Sequence, residues 1–153
     1  MLAPTTTRVS RRTADQTNER IAQRTRERVE EAALGGAPAI GERLVELETE
    51  WDIERALEAN AAVAILLGIA LAISANRRWL ALSAFAAAFL LQHALDGWCP
   101  PVPILRRAGV RTPREIEIER VALKILRGDF RDVPGPEAGH ATVVWRALEA
   151  ARR

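Results

Sequence analysis

Cysteine is nearly absent from this chain of 153 residues, which contains a single one, Cys99. One cysteine excludes a disulfide bond within the chain and any metal site built from several cysteines, and it leaves only an intermolecular disulfide open. The charged flanks also lack a glycine-rich phosphate loop, a cluster of metal-ligand residues and a paired nucleophile and base. We therefore expect no self-contained enzyme, no metal and no cofactor.

An apolar segment is missing behind the basic residues of the N-terminus. Arg11 and Arg12 form an arginine pair, but the residues after them, TADQTNER, are polar. Neither a secretory signal nor a twin-arginine signal has this pattern. Insertion into a membrane must therefore depend on a later segment.

Charge of one sign is not in large excess. The chain has 22 basic and 20 acidic residues, which give a formal net charge of +2. Such a balance indicates a heavily charged, solvated surface and lacks the basic footprint of a nucleic-acid-binding protein. We expect no nucleic-acid partner.

Two long apolar runs stand back to back in the middle of the chain, at 59–75 and 79–95, with only Asn76, Arg77 and Arg78 between them. Each run has about 17 residues, the lower end of the length that crosses a hydrocarbon core as a helix. A soluble hairpin of this size would need a large partner surface, and the rest of the chain offers only thin apolar stripes. The sequence predicts an all-α membrane protein, a two-span transmembrane helical hairpin with amphipathic cytoplasmic helices at both ends.

Small residues recur at intervals of four in both spans, a spacing that lets two helix backbones approach closely. We predict that they close the hairpin, with a contact between two copies as the alternative. The residues concerned are Ala64, Gly68 and Ala72 in the first span and Ser83 and Ala87 in the second.

Basic and aromatic residues around the spans predict how the hairpin sits in its membrane. Two arginines occupy the turn, and six lie near the spans on the terminal sides, so the positive-inside rule puts both termini in the cytoplasm. Tryptophans near the ends of the spans are typical interfacial anchors. The six arginines are Arg43, Arg55, Arg106, Arg107, Arg111 and Arg114, and the anchors are Trp51, Trp79 and Trp98.

The sequence on both sides of the two spans predicts charged helices. No glycine or proline interrupts residues 42–67, which predicts that a helix runs unbroken into the first span. Thr112, Pro113 and Glu115 predict an N-terminal cap for a later helix, whose apolar face includes Ile118, Val121, Ala122 and Ile125 and is expected to dock on the membrane or on a partner. We divide the chain into a disordered tail (1–12), a charged helical region (13–56), the hairpin (57–96), an interfacial proline-rich segment (97–111) and C-terminal amphipathic helices (112–153).

His93, Asp96 and Cys99 are the only group that invites a chemical interpretation, because a thiol beside an imidazole and a carboxylate can be activated or can bind a metal. His93 and Asp96 lie three apart on one helix, whereas Cys99 follows Gly97, which leaves its placement open. The alternative is structural: His93 and Asp96 are interfacial polar residues, and Cys99 is a small apolar side chain at a turn.

The segment GWCPPVPILRRAG and the two short spans ahead of it carry a family resemblance. They resemble the YgaP-like transmembrane domain, a bacterial inner-membrane family of largely uncharacterised function whose best-known member carries the domain behind a rhodanese module. This chain shows no rhodanese module, so the resemblance implies topology and location and brings no sulfur-transfer site. The matching residues are Glu54, Arg55, Trp79, Phe85, Gly97, Cys99, Pro100, Leu105 and Gly109.

Three functions are compatible with these patterns. The main hypothesis is a non-enzymatic scaffold, assembly or regulatory component that sits in the lipid bilayer and uses its flanking helices for a protein partner or for self-association. The second is a sulfur-handling or thiol-redox component that uses Cys99. The third is an oligomeric channel for small anions with Arg77 and Arg78 at its mouth, which needs several copies because the spans themselves carry no charge.

Overall fold

The structure is a computed structural model that describes residues 4, 6–138 and 140–152. It is 79% helical, and no strand occurs in that part of the chain, which confirms the all-α prediction. The helices are α1 (Arg8–Arg11), α2 (Asp15–Leu34), α3 (Gly36–Thr49), α4 (Ile53–Ser74), α5 (Leu80–Asp96), α6 (Val102–Arg107), α7 (Pro113–Arg127) and α8 (His140–Arg152), with short 3-10 turns at Arg77–Trp79 and Pro136–Ala138.

Helices α4 and α5 form the predicted hairpin, and the helical stretches that contain them are long and apolar enough to cross a membrane. Between them, Asn76 is extended and its side chain accepts the backbone N–H of Arg78 at 2.9 Å, which starts the 3-10 turn. Farther along the hairpin, the hydroxyl of Ser83 donates to the carbonyl of Ile65 at 2.9 Å. This bond ties the two spans together inside the apolar region.

Gly68 is a point of close approach between the two spans. A Cβ added there would lie 2.9 Å from the backbone nitrogen of Ser83 and 3.0 Å from the carbonyl oxygen of Trp79. Ala64 and Ala72 are half-buried beside it, whereas Ala87 is exposed. In the second span, the side chains that face away from solvent recur at spacings of three and four, which follow the helix period. They are Ser83, Ala86 and Leu90, which are half-buried, and His93, which is buried.

The prediction of one helix running from α3 into the first span is wrong. The chain becomes extended at Glu50 and Asp52, and the side chain of Asp52 caps α4 by accepting the N–H of Arg55 at 2.8 Å. The N–H of Ile53 is satisfied by the carbonyl of Arg111 at 2.8 Å. An aspartate is a favourable N-cap, so it can end one helix and begin another where glycine and proline are absent.

The structure also differs from the prediction of a disordered tail over 1–12. Residues 1–3 and 5 lie outside the described residues, but α1 is a helical turn whose Val9 is buried. The Thr13 hydroxyl donates to the carbonyl of Val9 at 2.8 Å and caps no helix, so α2 begins later, at Asp15. A single apolar residue among arginines gives no periodic signal, which is why the sequence pattern did not show this turn.

Close contacts divide the chain into two compact units, of which the first comprises Met1–Gln23 and Trp51–Ile116. We call it the hairpin unit. Its core consists of Val9, Ile53, Leu57, Cys99 and Val102. The predicted cap of α7 is confirmed: Thr112 Oγ1 accepts the N–H of Glu115 at 3.2 Å, and Glu115 Oε2 accepts the N–H of Thr112 at 2.8 Å.

The second unit comprises Arg24–Glu50 and Glu117–Arg153. Its charged centre is Arg43, whose Nε donates to the fully buried Glu119 at 2.7 Å and whose Nη1 donates to Glu46 at 2.7 Å. Burial lowers the pKa of Arg43, but these carboxylates outweigh it and the net pKa is raised. Lys124 Nζ donates to the carbonyl of Ala151 at 2.9 Å, which links α7 to α8.

Candidate functional site

A partly buried ionic cluster lies at the end of the hairpin opposite the turn. Glu54, in the first turn of α4, accepts Nη2 of Arg8 at 2.9 Å with one oxygen. Its other oxygen lies 2.7 Å from Nε2 of His93 on α5. Because His93 is only 2% exposed, one carboxylate joins both spans and α1 in a shielded environment.

A second ion pair fixes α1 to the other span. Arg12 Nη2 lies 2.6 Å from one oxygen of Asp96 and 2.7 Å from the other. Gly97 makes the approach of α1 feasible, since a Cβ there would lie 2.6 Å from the carbonyl carbon of Arg8. Its φ of +77° also belongs to the left-handed region that glycine adopts most readily.

Arg106 is 1% exposed and has several hydrogen-bond partners within the hairpin unit. Its Nη1 and Nη2 each lie 2.7 Å from an oxygen of Glu115, in a bidentate pair. Further bonds reach the carbonyl of Val110 at 3.0 Å, the side-chain oxygen of Asn18 at 2.9 Å and the hydroxyl of Thr13 at 3.3 Å. Arg106 therefore joins α6, α7 and the start of α2.

The three residues of the predicted thiol site have different partners. His93 is bonded to Glu54, Asp96 is paired with Arg12, and Cys99 is buried in the apolar core of the hairpin unit. Burial raises the pKa of the Cys99 thiol and the negative charge of Glu54 raises it further, against a weaker lowering by the backbone of Val102. A raised pKa reduces the reactive thiolate fraction. The thiol site stays a prediction, and this environment disfavours it.

Sequence reasoning missed the partners of these residues. Arg8 and Arg12 stand four apart on the N-terminal segment, and Glu54 and Asp96 are acidic residues near the terminal ends of the two spans. The spacing of the two arginines, one helical turn apart, was a local signal, but it does not show which carboxylates they meet. Among the described residues, no group of three or more His, Cys, Asp or Glu side chains is placed to hold a metal ion.

The three predicted anchors lie in different surroundings. Trp51 is exposed, with the guanidinium carbon of Arg55 at 4.7 Å from its ring centroid. Trp79 is exposed in the 3-10 turn, and Trp98 is half-buried beyond the end of α5. Their anchoring role in a bilayer stays a prediction.

The comparison with protein families identifies the central segment. Residues 52–114 match the family described as inner membrane protein YgaP-like, transmembrane domain. The resemblance seen in the sequence is thereby confirmed, and this YgaP-like segment includes both spans, Glu54, His93 and Cys99. No curated protein and no solved structure matches the chain.

The chain is a membrane protein, as the matched inner-membrane domain and the two apolar helices together indicate. The residues that bind Glu54 and Asp96 from α1 lie outside the YgaP-like segment. The helical turn α1 therefore lies outside the matched segment.

Replacing Glu54 should release α1. In Glu54→Ala, both Arg8 and His93 lose their carboxylate, and we expect trypsin to cleave after Arg8 and Arg12 about tenfold faster than in the parent, since unmaking a buried charged pair costs about 1–3 kcal/mol. The measurement is mass spectrometry of N-terminal fragments over time from the full chain in detergent. Glu58→Ala, an exposed carboxylate one turn further along α4, is the control and should be cleaved like the parent. Equal cleavage of all three proteins would show that Glu54 does not hold α1.

Cys99 should react slowly in the folded protein. We expect a water-soluble iodoacetamide to modify it at least about tenfold more slowly at pH 7 than in the denatured chain, because the thiol is buried. The pKa of Cys99 is raised above the ordinary value of 9.0. Its modification rate should therefore still increase with pH in the range where the modification rate of a free thiol has become constant. The chain has no other cysteine, so intact-mass measurement on the parent suffices. A modification rate at pH 7 equal to that of free cysteine would favour the hypothesis of thiol chemistry at Cys99.

Proposed function

We propose that this protein is a non-enzymatic membrane scaffold, held in the bilayer by its hairpin and binding a protein partner through α7. The observation that carries the proposal is the orientation of α7. Its apolar residues Ile116 and Leu123 are buried, whereas Ile118, Val121 and Ile125 are 56%, 38% and 61% exposed. A helix that keeps a second apolar stripe exposed while its first one fills the core presents a binding face.

The spacing of this stripe indicates the kind of partner. Ile118, Val121 and Ile125 stand at i, i+3 and i+7, the pattern by which an amphipathic helix docks into an apolar groove or against a second helix. Glu119 is bonded to Arg43 and Lys124 to the carbonyl of Ala151, so the stripe cannot turn inward without breaking those bonds. The exposed face is therefore a stable feature of the second unit.

The proposal includes the orientation, with both termini in the cytoplasm. The arginine count around the spans supports it. In a Cys99→Ala background, a membrane-impermeant maleimide should label Ala75→Cys, beside the turn, in cells with a permeabilised outer membrane. It should label Ala37→Cys only after the inner membrane is opened. The reverse pattern would place the termini outside.

The thiol alternative has less support, because Cys99 is buried in apolar surroundings and because His93 and Asp96, which were predicted to assist it, are bonded to other residues. The anion-channel alternative has only the exposed turn arginines in its favour. Neither accounts for the outward-facing stripe of α7.

Photocrosslinking on native membranes tests the scaffold proposal. A benzophenone amino acid at Val121 should capture a defined protein, identified by mass spectrometry. Ile118→Glu or Ile125→Glu should each reduce the product about tenfold, as expected when a charge replaces an apolar anchor at the centre of an interface. The matched control is Leu34→Glu, which puts the same charge on an isolated, exposed apolar residue of the second unit and should leave the product unchanged.

Two outcomes would contradict the proposal. One is a crosslinked product that is equally abundant in Ile118→Glu, Ile125→Glu and Leu34→Glu. The other is a product composed only of two copies of this chain, which would make α7 a self-association face.

A further inference from the structure

An apolar groove runs along the hairpin at the end away from its turn, with a volume of about 320 Å³. Its walls are small side chains on the two spans, Ala61 and Ala64 on α4 and Ala86 on α5, with Phe89 along one edge. The segment formed by Cys99, Pro100 and Pro101 closes its end. The groove therefore exists because alanines replace larger residues at one level of the hairpin.

Water is a poor occupant for this groove. The carboxamide of Asn60 already donates to the carbonyl of Ala56 at 2.7 Å, and Cys99 packs among apolar core residues. A bound water needs two to four polar partners, and apolar hollows in proteins stay dry or take up apolar ligands. The lining of the groove is therefore suited to an apolar occupant.

A helix from a second copy is also a poor occupant. The small-residue ridge that would let another backbone approach is used within the hairpin, where Gly68 lies against Ser83. The outer faces of both spans instead carry large exposed apolar side chains, among them Leu66, Ile73, Phe85 and Leu91. In a chain that crosses a bilayer, such faces contact lipid hydrocarbon. Phe89, which is also exposed, belongs to the lining of the groove.

We infer that this groove is a binding site for one acyl chain of a membrane phospholipid, seated between the two spans against Ala61, Ala86 and the Cys99–Pro101 segment. This site is independent of the face proposed for partner binding on α7. It would keep a lipid with the protein after extraction from the membrane.

Native mass spectrometry of the full chain in mild detergent tests the site, with dioleoylphosphatidylglycerol added at defined ratios. We expect a 1:1 lipid adduct with the parent. Ala86→Leu and Ala61→Leu fill the groove and should each lower its occupancy at least about fivefold. Ala87→Leu and Ala62→Leu add the same volume at exposed neighbouring positions and should retain the adduct.

A second measurement needs no substitution. A phospholipid with a diazirine in its acyl chain should crosslink the parent preferentially at residues 86–90 and 99–101. The inference is overturned if the parent holds no lipid, if all four leucine variants lose lipid equally, or if crosslinks spread evenly over the exposed faces of both spans. A two-copy complex without lipid would likewise overturn it.

Discussion

Arg106→Met should lower the free energy of unfolding of the hairpin unit by about 3–5 kcal/mol, the usual cost of removing one partner of a buried ion pair. The guanidinium is 1% exposed and satisfies Glu115, Asn18 and the carbonyl of Val110 at once. Methionine fills a similar volume but donates no hydrogen bond, so Glu115 would keep the N–H of Thr112 but lose Arg106, and Asn18 and the carbonyl of Val110 would lose this donor. The measurement is a denaturant titration of the full chain in detergent micelles, followed by tryptophan fluorescence.

The next residue supplies the control. Arg107 lies on the same helix and is exposed, so Arg107→Met should change stability by no more than about 0.5 kcal/mol. Similar losses in the two variants would mean that stability depends on the total positive charge of α6 and not on the buried network.

The same pair makes the effect depend on pH. Burial would raise the pKa of Glu115, but the hydrogen bonds from Arg106 and the backbone of Thr112 outweigh it and hold the pKa below the ordinary 4.5. A lowered pKa in the folded state contributes stability that is fully present above 4.5 and is lost as the pH falls through the lowered value. The difference between the parent and Arg106→Met should therefore be largest near neutral pH and should narrow below pH 4.5.

The hairpin and the cap of α7 could be predicted because their signals are local. Two apolar runs around Arg77 and Arg78 specify the spans, and Thr112 with Glu115 specifies a helix start through contacts three residues apart. The break before α4 was missed although Asp52 is a good cap, because no proline or glycine accompanied it.

The ionic clusters could not be predicted in the same way. Arg106 pairs with Asn18, 88 positions away, and Arg12 pairs with Asp96, 84 positions away. Among 22 basic and 20 acidic residues, many pairings are equally compatible with the charge pattern. The packing of α1 against the hairpin partly buries Arg8 and Glu54, whereas Arg12 and Asp96 stay exposed. The sequence does not show this difference in burial, which decides how much each pair contributes to stability.

Gly68→Ala should destabilise the hairpin, although the same exchange normally stabilises a helix by about 1 kcal/mol. The new Cβ would lie 2.9 Å from the nitrogen of Ser83 and 3.0 Å from the oxygen of Trp79, both backbone atoms that can move only if the spans separate. We expect a net loss of about 1–3 kcal/mol, the range for overpacking a close contact, and a larger loss for Gly68→Val. Thermal unfolding of the full chain in detergent, followed by far-ultraviolet circular dichroism, provides the measurement.

Gly41 gives the matched comparison, because it lies in α3 with no atom within 4 Å of an added Cβ. Gly41→Ala should raise stability by about 0.5–1 kcal/mol, opposite in sign to Gly68→Ala. Adding Ser83→Ala to Gly68→Ala should restore only part of the loss, since it removes the hydroxyl near the new Cβ but leaves the backbone contact and forfeits the bond to Ile65. A full restoration of stability in the double variant would mean that the new Cβ clashes only with the side chain of Ser83. If Gly68→Ala stabilised the protein, the two backbones would not be in close contact in the membrane.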